Sequence, residues 1–316
     1  MKRTAHRLVA ALALAAAGAA FAGPPLVKGQ APGWYRMMLG DFEITALNDG
    51  TVELPVDKLL TNITPENVQA LLARSYLKAP LETSVNGYLV NTGSKLVLID
   101  SGAAGLFGPT LGRLVANLKA SGYQPEQVDE VYITHMHADH VGGLMAGAER
   151  AFPNAVVRAD LKEGGYWLSQ ANLDAAPEGA KGFFRGAMAS LNPYVAAGRF
   201  RPFEGATDLV PGVRSLPTYG HTPGHAAYVV ESQGERMVMW GDLMHVAAVQ
   251  FVQPAVTIQF DTDSAAAAPQ RSQNYADAAA KGYYVAIAHV PFPGIGRLRS
   301  NGGGYDWLPA NYERGR

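Results

Sequence analysis

The placement of histidine constrains this chain more than any other feature. Of eight histidines, one, His6, lies in an N-terminal hydrophobic segment, and His135, His137, His140, His221, His225, His245 and His289 all fall at or just beyond the ends of apolar, strand-like runs. In Thr134-His135-Met136-His137-Ala138-Asp139-His140, two histidines sit two residues apart on extended backbone, so both imidazoles point to one side and can reach one ion. Asp139 and His140 follow where the chain turns into a helix. They face the same space from another direction and suit a second ion. Neutral imidazole and carboxylate are ligands for zinc, and also for manganese, iron or cobalt. Any fold available to this chain must gather several strand ends around one cavity.

The chain has no cysteine, which excludes a thiolate nucleophile, a Cys-rich zinc finger and an iron–sulfur cluster. Any metal is held by nitrogen and oxygen alone. Basic and acidic residues nearly balance, 26 against 27 for a net charge of −1. That gives no general field for a nucleic-acid backbone or an anionic membrane, and neither is expected as a partner. Residues 1–22 carry Lys2, Arg3 and Arg7, an apolar run from Leu8 to Ala20 and the small-residue site Ala20-Phe21-Ala22. This is the pattern of a signal peptide, and the run falls short of the roughly 20 residues of a membrane span. The expectation is a periplasmic or secreted protein cleaved after Ala22, with residues 23–40 as a leader and 41–316 as a single domain.

Hydrophobic patterning places strands in two blocks, each followed by helices. Phe42–Pro55 reads as a hairpin about Asn48-Asp49-Gly50. A helix follows from Glu66 to Tyr76, and Ser84–Asn91 with Lys95–Asp100 reads as a second hairpin about Thr92-Gly93-Ser94. Leu111, Leu114, Val115 and Leu118 share a helical face. The strand Val131–Thr134 and the histidine-rich loop come next, then the strand Ala155–Ala159 and helical stretches at 166–170 and 183–194. The second block runs through Val213–Tyr219, Ala226–Ser232 and Arg236–Asp242. A helix between Asp263 and Lys281 and a strand, Tyr283–Ala288, deliver His289. Two packed sheets with helices outside, an α+β class, is the expected architecture.

The segment Tyr219–His225 supplies His221 and His225, but Pro223-Gly224 between them breaks a continuous helix. One of the two is expected to bind metal directly. Asp242 closes one predicted strand and His289 another. Together, Thr134–His140, Gly220-His221, Gly241-Asp242, His289 and Leu98–Gly102 resemble the successive motifs of the metallo-β-lactamase superfamily, over roughly 42–289. The resemblance implies an αβ/βα sandwich with two divalent metal ions, zinc before manganese, iron or cobalt. His135, His137 and His221 would hold one ion and Asp139, His140 and His289 the other, with Asp242 bridging and His225 behind. Asp242 stands where β-lactamases of this superfamily often use cysteine, so antibiotic hydrolysis is not expected.

Longer segments, Ala46–Lys58, Lys78–Asp100, Ala103–Arg113, Lys181–Val195 and Val246–Phe251, resemble the methyl parathion hydrolases and the related dihydrocoumarin (aryl lactone) hydrolases. That likeness implies a homodimer with a substrate pocket at Phe107, Trp167 and Phe183, walled further by Leu59, Ile258 and Phe260. His245 stands where related acyl-homoserine lactonases carry a tyrosine, which implies a hydrogen bond to the carbonyl or leaving-group oxygen. Asp139 and Asp242 are the other catalytic candidates, Asp139 to orient the nucleophile or move its proton. Bulky Ile258 and Phe260 leave less room for a tetrahedral dialkyl phosphoryl group than for a flat bicyclic lactone. The expected activity is aryl-lactone hydrolysis, with phosphotriester hydrolysis on the side. The alternatives are a phosphotriesterase of the methyl parathion kind and a metal-binding module without turnover.

Overall fold

Alternation along the strands decides the architecture. In Leu96–Ile99, Val97 and Ile99 face one way and Leu96 and Leu98 the other; in Ala226–Ser232, Tyr228 and Val230 oppose Ala227 and Val229. Both faces of each sheet are apolar, so each must be covered twice. In the computed structural model, which describes residues 24–312 and so leaves the expected signal peptide outside, two mixed sheets satisfy this demand.

The first sheet has six strands in sequence order: Trp34–Leu39, Phe42–Leu54, Leu81–Asn91, Leu96–Ile99, Glu130–Tyr132 and Val156–Arg158. The second has seven, also in order: Asp208–Val210, Val213–Pro217, Ala226–Ser232, Glu235–Met239, Tyr284–Ala286, Ile295–Ser300 and Tyr305–Pro309. Pairing turns parallel between Ile99 and Tyr132, and again between Met239 and Ala286. Parallel neighbours need a crossover, and the helices Leu114–Ala120 and Ser264–Lys281 lie in those two connections.

Ile44, Tyr88, Val97 and Ile99 of the first sheet meet Tyr228, Val230, Met237 and Met239 of the second in a shared core. On the outer faces, Leu98, Val131 and Val157 pack under Leu114, Leu118 and Leu191, and Val229, Val238 and Val285 under Tyr275 and Ala278. Each large apolar side chain so buried contributes about 1.5–3 kcal/mol, which supplies the stability that no disulfide provides. This is the αβ/βα sandwich.

Several local expectations change. Asn48-Asp49-Gly50 does not turn: Phe42–Leu54 is one strand with a bulge, its pairing stepping from Asn48↔Asn86 to Gly50↔Val85. The extra residue, Asp49, aims its carboxylate at the amides of Ala103, Gly112 and Leu114, 2.9–3.0 Å away. An Asp-Gly pair that suits a turn here anchors a distant loop. Leu111 is buried but precedes the helix that begins at Leu114. Trp34–Leu39, inside the expected leader, pairs along its whole length with Phe42–Leu47, and two strands beyond His289 extend the second sheet. No helix among the described residues is long and apolar enough to cross a membrane.

Candidate metal centre

Each polar group of the centre is delivered by a loop that follows a strand. His135 and His137 come after Glu130–Tyr132, and Asp139 and His140 ride on the single turn Ala138–Val141. His221 follows Val213–Pro217, Asp242 follows Glu235–Met239, and His289 follows Tyr284–Ala286. The ligand atoms of His135, His137, His221 and Asp242 lie within 4.8 Å of one another, and those of Asp139, His140 and His289 form a second such set. Asp242 faces both. Its Oδ2 is 3.5 Å from His135 Nε2 and 3.4 Å from His221 Nε2, while Oδ1 is 3.2 Å from His140 Nε2 and 3.1 Å from His289 Nε2.

The donors fit a cation. Among the described residues His135 Nε2, His140 Nε2 and Asp242 Oδ1 are buried without a hydrogen-bond partner, and His137 Nδ1 and His221 Nε2 converge to 3.1 Å. Leaving a buried polar atom unsatisfied costs about 1–3 kcal/mol. A divalent ion would satisfy several of these atoms at once. Imidazole and carboxylate without thiolate suit zinc and its first-row neighbours.

The rings are oriented from behind. Asp100 Oδ2 lies 2.8 Å from His140 Nδ1, and the Asp100 carboxylate also accepts the amide and the hydroxyl of Thr134 at 2.8 Å. Asp261 Oδ1 lies 2.8 Å from His221 Nδ1, and the Ser84 carbonyl 3.0 Å from His289 Nδ1. Such partners decide which nitrogen is left for a metal. His225 faces away from the two sets: its Nε2 accepts the Asp242 amide at 3.0 Å, and its Nδ1 lies 2.8 Å from Thr218 Oγ1. Burial pushes the His225 imidazole down to about 3, which keeps it neutral for that acceptor role. Burial also holds His135 and His137 well below the ordinary imidazole range. For Asp242 burial acts upward, but the surrounding imidazoles, His289 foremost, hold its carboxyl well below the usual range.

Sequence reasoning did not find Glu163 or Asp261. Glu163 is fully buried on the helix Leu161–Trp167. One carboxylate oxygen accepts the Met136 amide at 2.8 Å, and the other accepts the Thr222 hydroxyl and the Gly224 amide, each at 2.8 Å. It ties the loop of His135 and His137 to the loop of His221. Burial pushes its carboxyl up to about 7. No local spacing marks either acid, because the contacts that tie them to the centre, Glu163 to Met136 and Gly224 and Asp261 to His221, span tens of residues.

Phe107, Phe183, Phe260 and His245 stand on a cleft above Asp139, Asp242 and His289. Leu59, Trp167 and Ile258 do not line it. Thr257–Ile258 pairs with Leu60–Thr61, which turns Ile258 into a cluster with Val56, Leu60 and Val68, and Leu59 packs against the same cluster. Trp167 is buried against Phe184, its ring 5.4 Å from that of His137. Val52 and Leu54 line the cleft instead. Their alternation on the strand beyond Asp49 was the available signal.

A profile of the metallo-beta-lactamase superfamily matches residues 81–289. An N-acyl homoserine lactonase from Bacillus sp is 29% identical over 185 residues, 55% of this chain and 64% of that protein. One from Bacillus cereus is 29% identical over 189 residues, 57% of this chain and 66% of that protein. The chain thus spans just under two thirds of the length of these curated relatives. Among solved structures, the hydrolase AbOPH of the beta lactamase superfamily is 38% identical, with a TM-score of 0.86 over 90% of this chain and 100% of that one. AidC, a dizinc quorum-quenching lactonase in complex with a product, shares the fold at 23% identity and a TM-score of 0.82, over 89% of this chain and 99% of that one.

Proposed function

Because the chain belongs to the metallo-β-lactamase superfamily, we propose that it is a metal-dependent hydrolase of lactones, and that a neutral aryl lactone of the dihydrocoumarin kind is its preferred substrate. The observation that carries this reading is the gathering of six histidine and aspartate donors around a seventh, Asp242, beneath a cleft walled by Phe107, Phe183 and Phe260. His135, His137 and His221 would hold one divalent ion, zinc by preference, and Asp139, His140 and His289 the other, with Asp242 within reach of both sets. When bound, such a pair of ions would supply a water of lowered pKa and a polarised ester oxygen.

The chain's own residues do the rest. Asp139, whose side chain is 14% exposed against 4% for Asp242, faces the cleft and accepts a hydrogen bond from the attacking water, orienting it. The three phenylalanines lie along the aryl ring and keep bulk water out, which strengthens the charge interactions beneath them. A cleft walled by Phe107, Phe183 and Phe260 suits a flat aryl ring better than a tetrahedral dialkyl phosphoryl group. Phosphotriester hydrolysis is therefore the slower activity. The lactonases among the relatives support the ester class. On the same reading the mature chain is an exported homodimer cleaved after Ala22, testable by N-terminal sequencing and light scattering.

Side-by-side turnover of dihydrocoumarin and methyl parathion by the zinc-loaded protein tests the proposal. Faster lactone hydrolysis is expected, and faster methyl parathion hydrolysis would reverse the order of substrates. If neither ester is hydrolysed in a chelator-sensitive way, the enzyme reading fails and a metal-binding module remains.

A further inference from the structure

We infer that His245 is itself a metal ligand, an eighth donor directed at the ion served by Asp242 and His289. This rests on the metal-centre reading above and adds a residue to it. His245 is buried, 3% exposed. Its ring lies nearly parallel to that of His289, with centroids 5.3 Å apart and 16° between the planes. Both rings turn the same nitrogen to the same carboxylate: His245 Nε2 is 3.0 Å and His289 Nε2 3.2 Å from Asp242 Oδ2. The ligand atoms of the three residues fall within 4.8 Å of one another, as donors around one ion do.

Packing alone does not account for this imidazole. Among the described residues Nδ1 has no hydrogen-bond partner, and Nε2 lies 3.0 Å from Asp242 Oδ2 without the geometry of a hydrogen bond; a buried polar atom so placed calls for a missing partner. A phenyl ring would fill the same space without that cost. The position is also held firmly. Gln250 Oε1 accepts the amides of His245 and Val246 at 2.7 and 2.9 Å, and Gln250 Nε2 donates to the Val256 carbonyl at 3.0 Å. Gln250 is itself fully buried, so the turn that carries Asp242 presents His245 three residues later in a fixed place. The Nε2 directed at Asp242 then belongs to the metal and not to the substrate oxygen. A further imidazole tightens that ion and shifts the site toward zinc and cobalt over ions that favour oxygen.

Titration of the chelator-stripped full chain with Zn(II) and Co(II), against a competing chelator, tests this. His245→Phe keeps a ring to stack on His289 and removes both nitrogens, whereas His245→Glu replaces imidazole with an oxygen donor. Wild-type protein should bind two ions. His245→Phe should weaken one of them about ten-fold or more, leave the other unchanged and shift the visible spectrum of the Co(II) protein; His245→Glu should recover part of the affinity. Histidine-selective ¹⁵N NMR of the wild-type protein avoids any folding defect in a variant. On zinc loading, the His245 Nε2 resonance should move to the metal-bound range. Unchanged affinity and cobalt spectrum in His245→Phe, or an Nε2 that does not respond to zinc, would overturn the inference while leaving the two-ion centre intact. If the wild-type protein binds no ion, both fail together.

Discussion

Glu163 accepts the amide of Gly224 at 2.8 Å, and the chain packs so closely there that a Cβ on residue 224 would collide with the Glu163 backbone. With its other oxygen on Met136, this carboxylate holds two ligand-bearing loops in register. Glu163→Gln replaces one acceptor oxygen with an NH₂ group and leaves at least one amide unpartnered. We predict a loss of about 1–3 kcal/mol in stability and weaker metal binding at the His135, His137 and His221 set. Urea unfolding and metal titration check it; wild-type values in both would show that the link is dispensable.

Asp49 satisfies three amides of the 103–114 segment with one side chain. Asp49→Ala leaves all three without an acceptor, and relaxation of the loop recovers only part of the cost. We expect a loss of about 3 kcal/mol, with Asp49→Asn in between. Urea midpoints at constant m-value measure this, and a change below about 0.5 kcal/mol would contradict it.

Metal removal should abolish hydrolysis and lower the melting temperature, since ions that bind only the folded chain stabilise it. Asp100 orients His140, so Asp100→Asn should weaken metal binding about 10–100-fold yet recover activity in excess zinc. Activity measured against free zinc concentration separates this from a direct loss of chemistry, in which no amount of zinc would help.

The buried Tyr194 hydroxyl donates to the Leu144 carbonyl at 3.0 Å and accepts the Phe152 amide at 3.2 Å. Burial pushes this phenol up to about 12 from its ordinary value of 10.0. The native state therefore keeps the proton longer than the unfolded chain does. The associated stability is complete below about pH 10 and drains away as pH rises toward 12. Tyr194→Phe should flatten that decline by up to about 1.4 kcal/mol per pH unit. Unfolding free energies between about pH 9 and pH 12 give the two slopes, and identical slopes would refute the assignment.

Phe260 lines the cleft and Ile258 does not. Phe260→Leu should raise the ratio of phosphotriester to lactone hydrolysis about ten-fold, equivalent to about 1.4 kcal/mol of differential barrier. Ile258→Val should leave that ratio alone and cost about 0.5–1.5 kcal/mol of stability. Paired kcat/KM values for both esters decide the matter; a selectivity change in the Ile258 variant would place that side chain against the substrate.

The histidine cluster at 135–140 was legible because both of its signals are local: the period of the strand and the chemistry of the ligands. The hairpin at Thr92-Gly93-Ser94 was legible for the same reason, and Asn91 indeed pairs with Leu96 across it. Asn48-Asp49-Gly50 misled because the same residues satisfy a turn and a bulge, and the choice lay with amides 54 and more residues away. Trp167 and Phe183 are both aromatics near a metal site, yet one is buried core and the other lines the cleft. Side-chain type carries no record of that difference. Glu163 and Asp261 act on partners 61 and 40 residues distant, beyond the reach of any periodicity.

Asp242 belongs to the second sheet's strand ends, while four of the groups it serves or faces come from the loop of the first. Neither half of the chain carries a full coordination sphere of its own. A nascent polypeptide lacks the Asp139, His140 and His289 set until His289 has been made, and lacks the set of His135, His137, His221 and Asp242 until the strand ends of both sheets have met. Full metal occupancy would therefore record completed assembly, and a chain cut before Asp242 would hold neither set of donors entire.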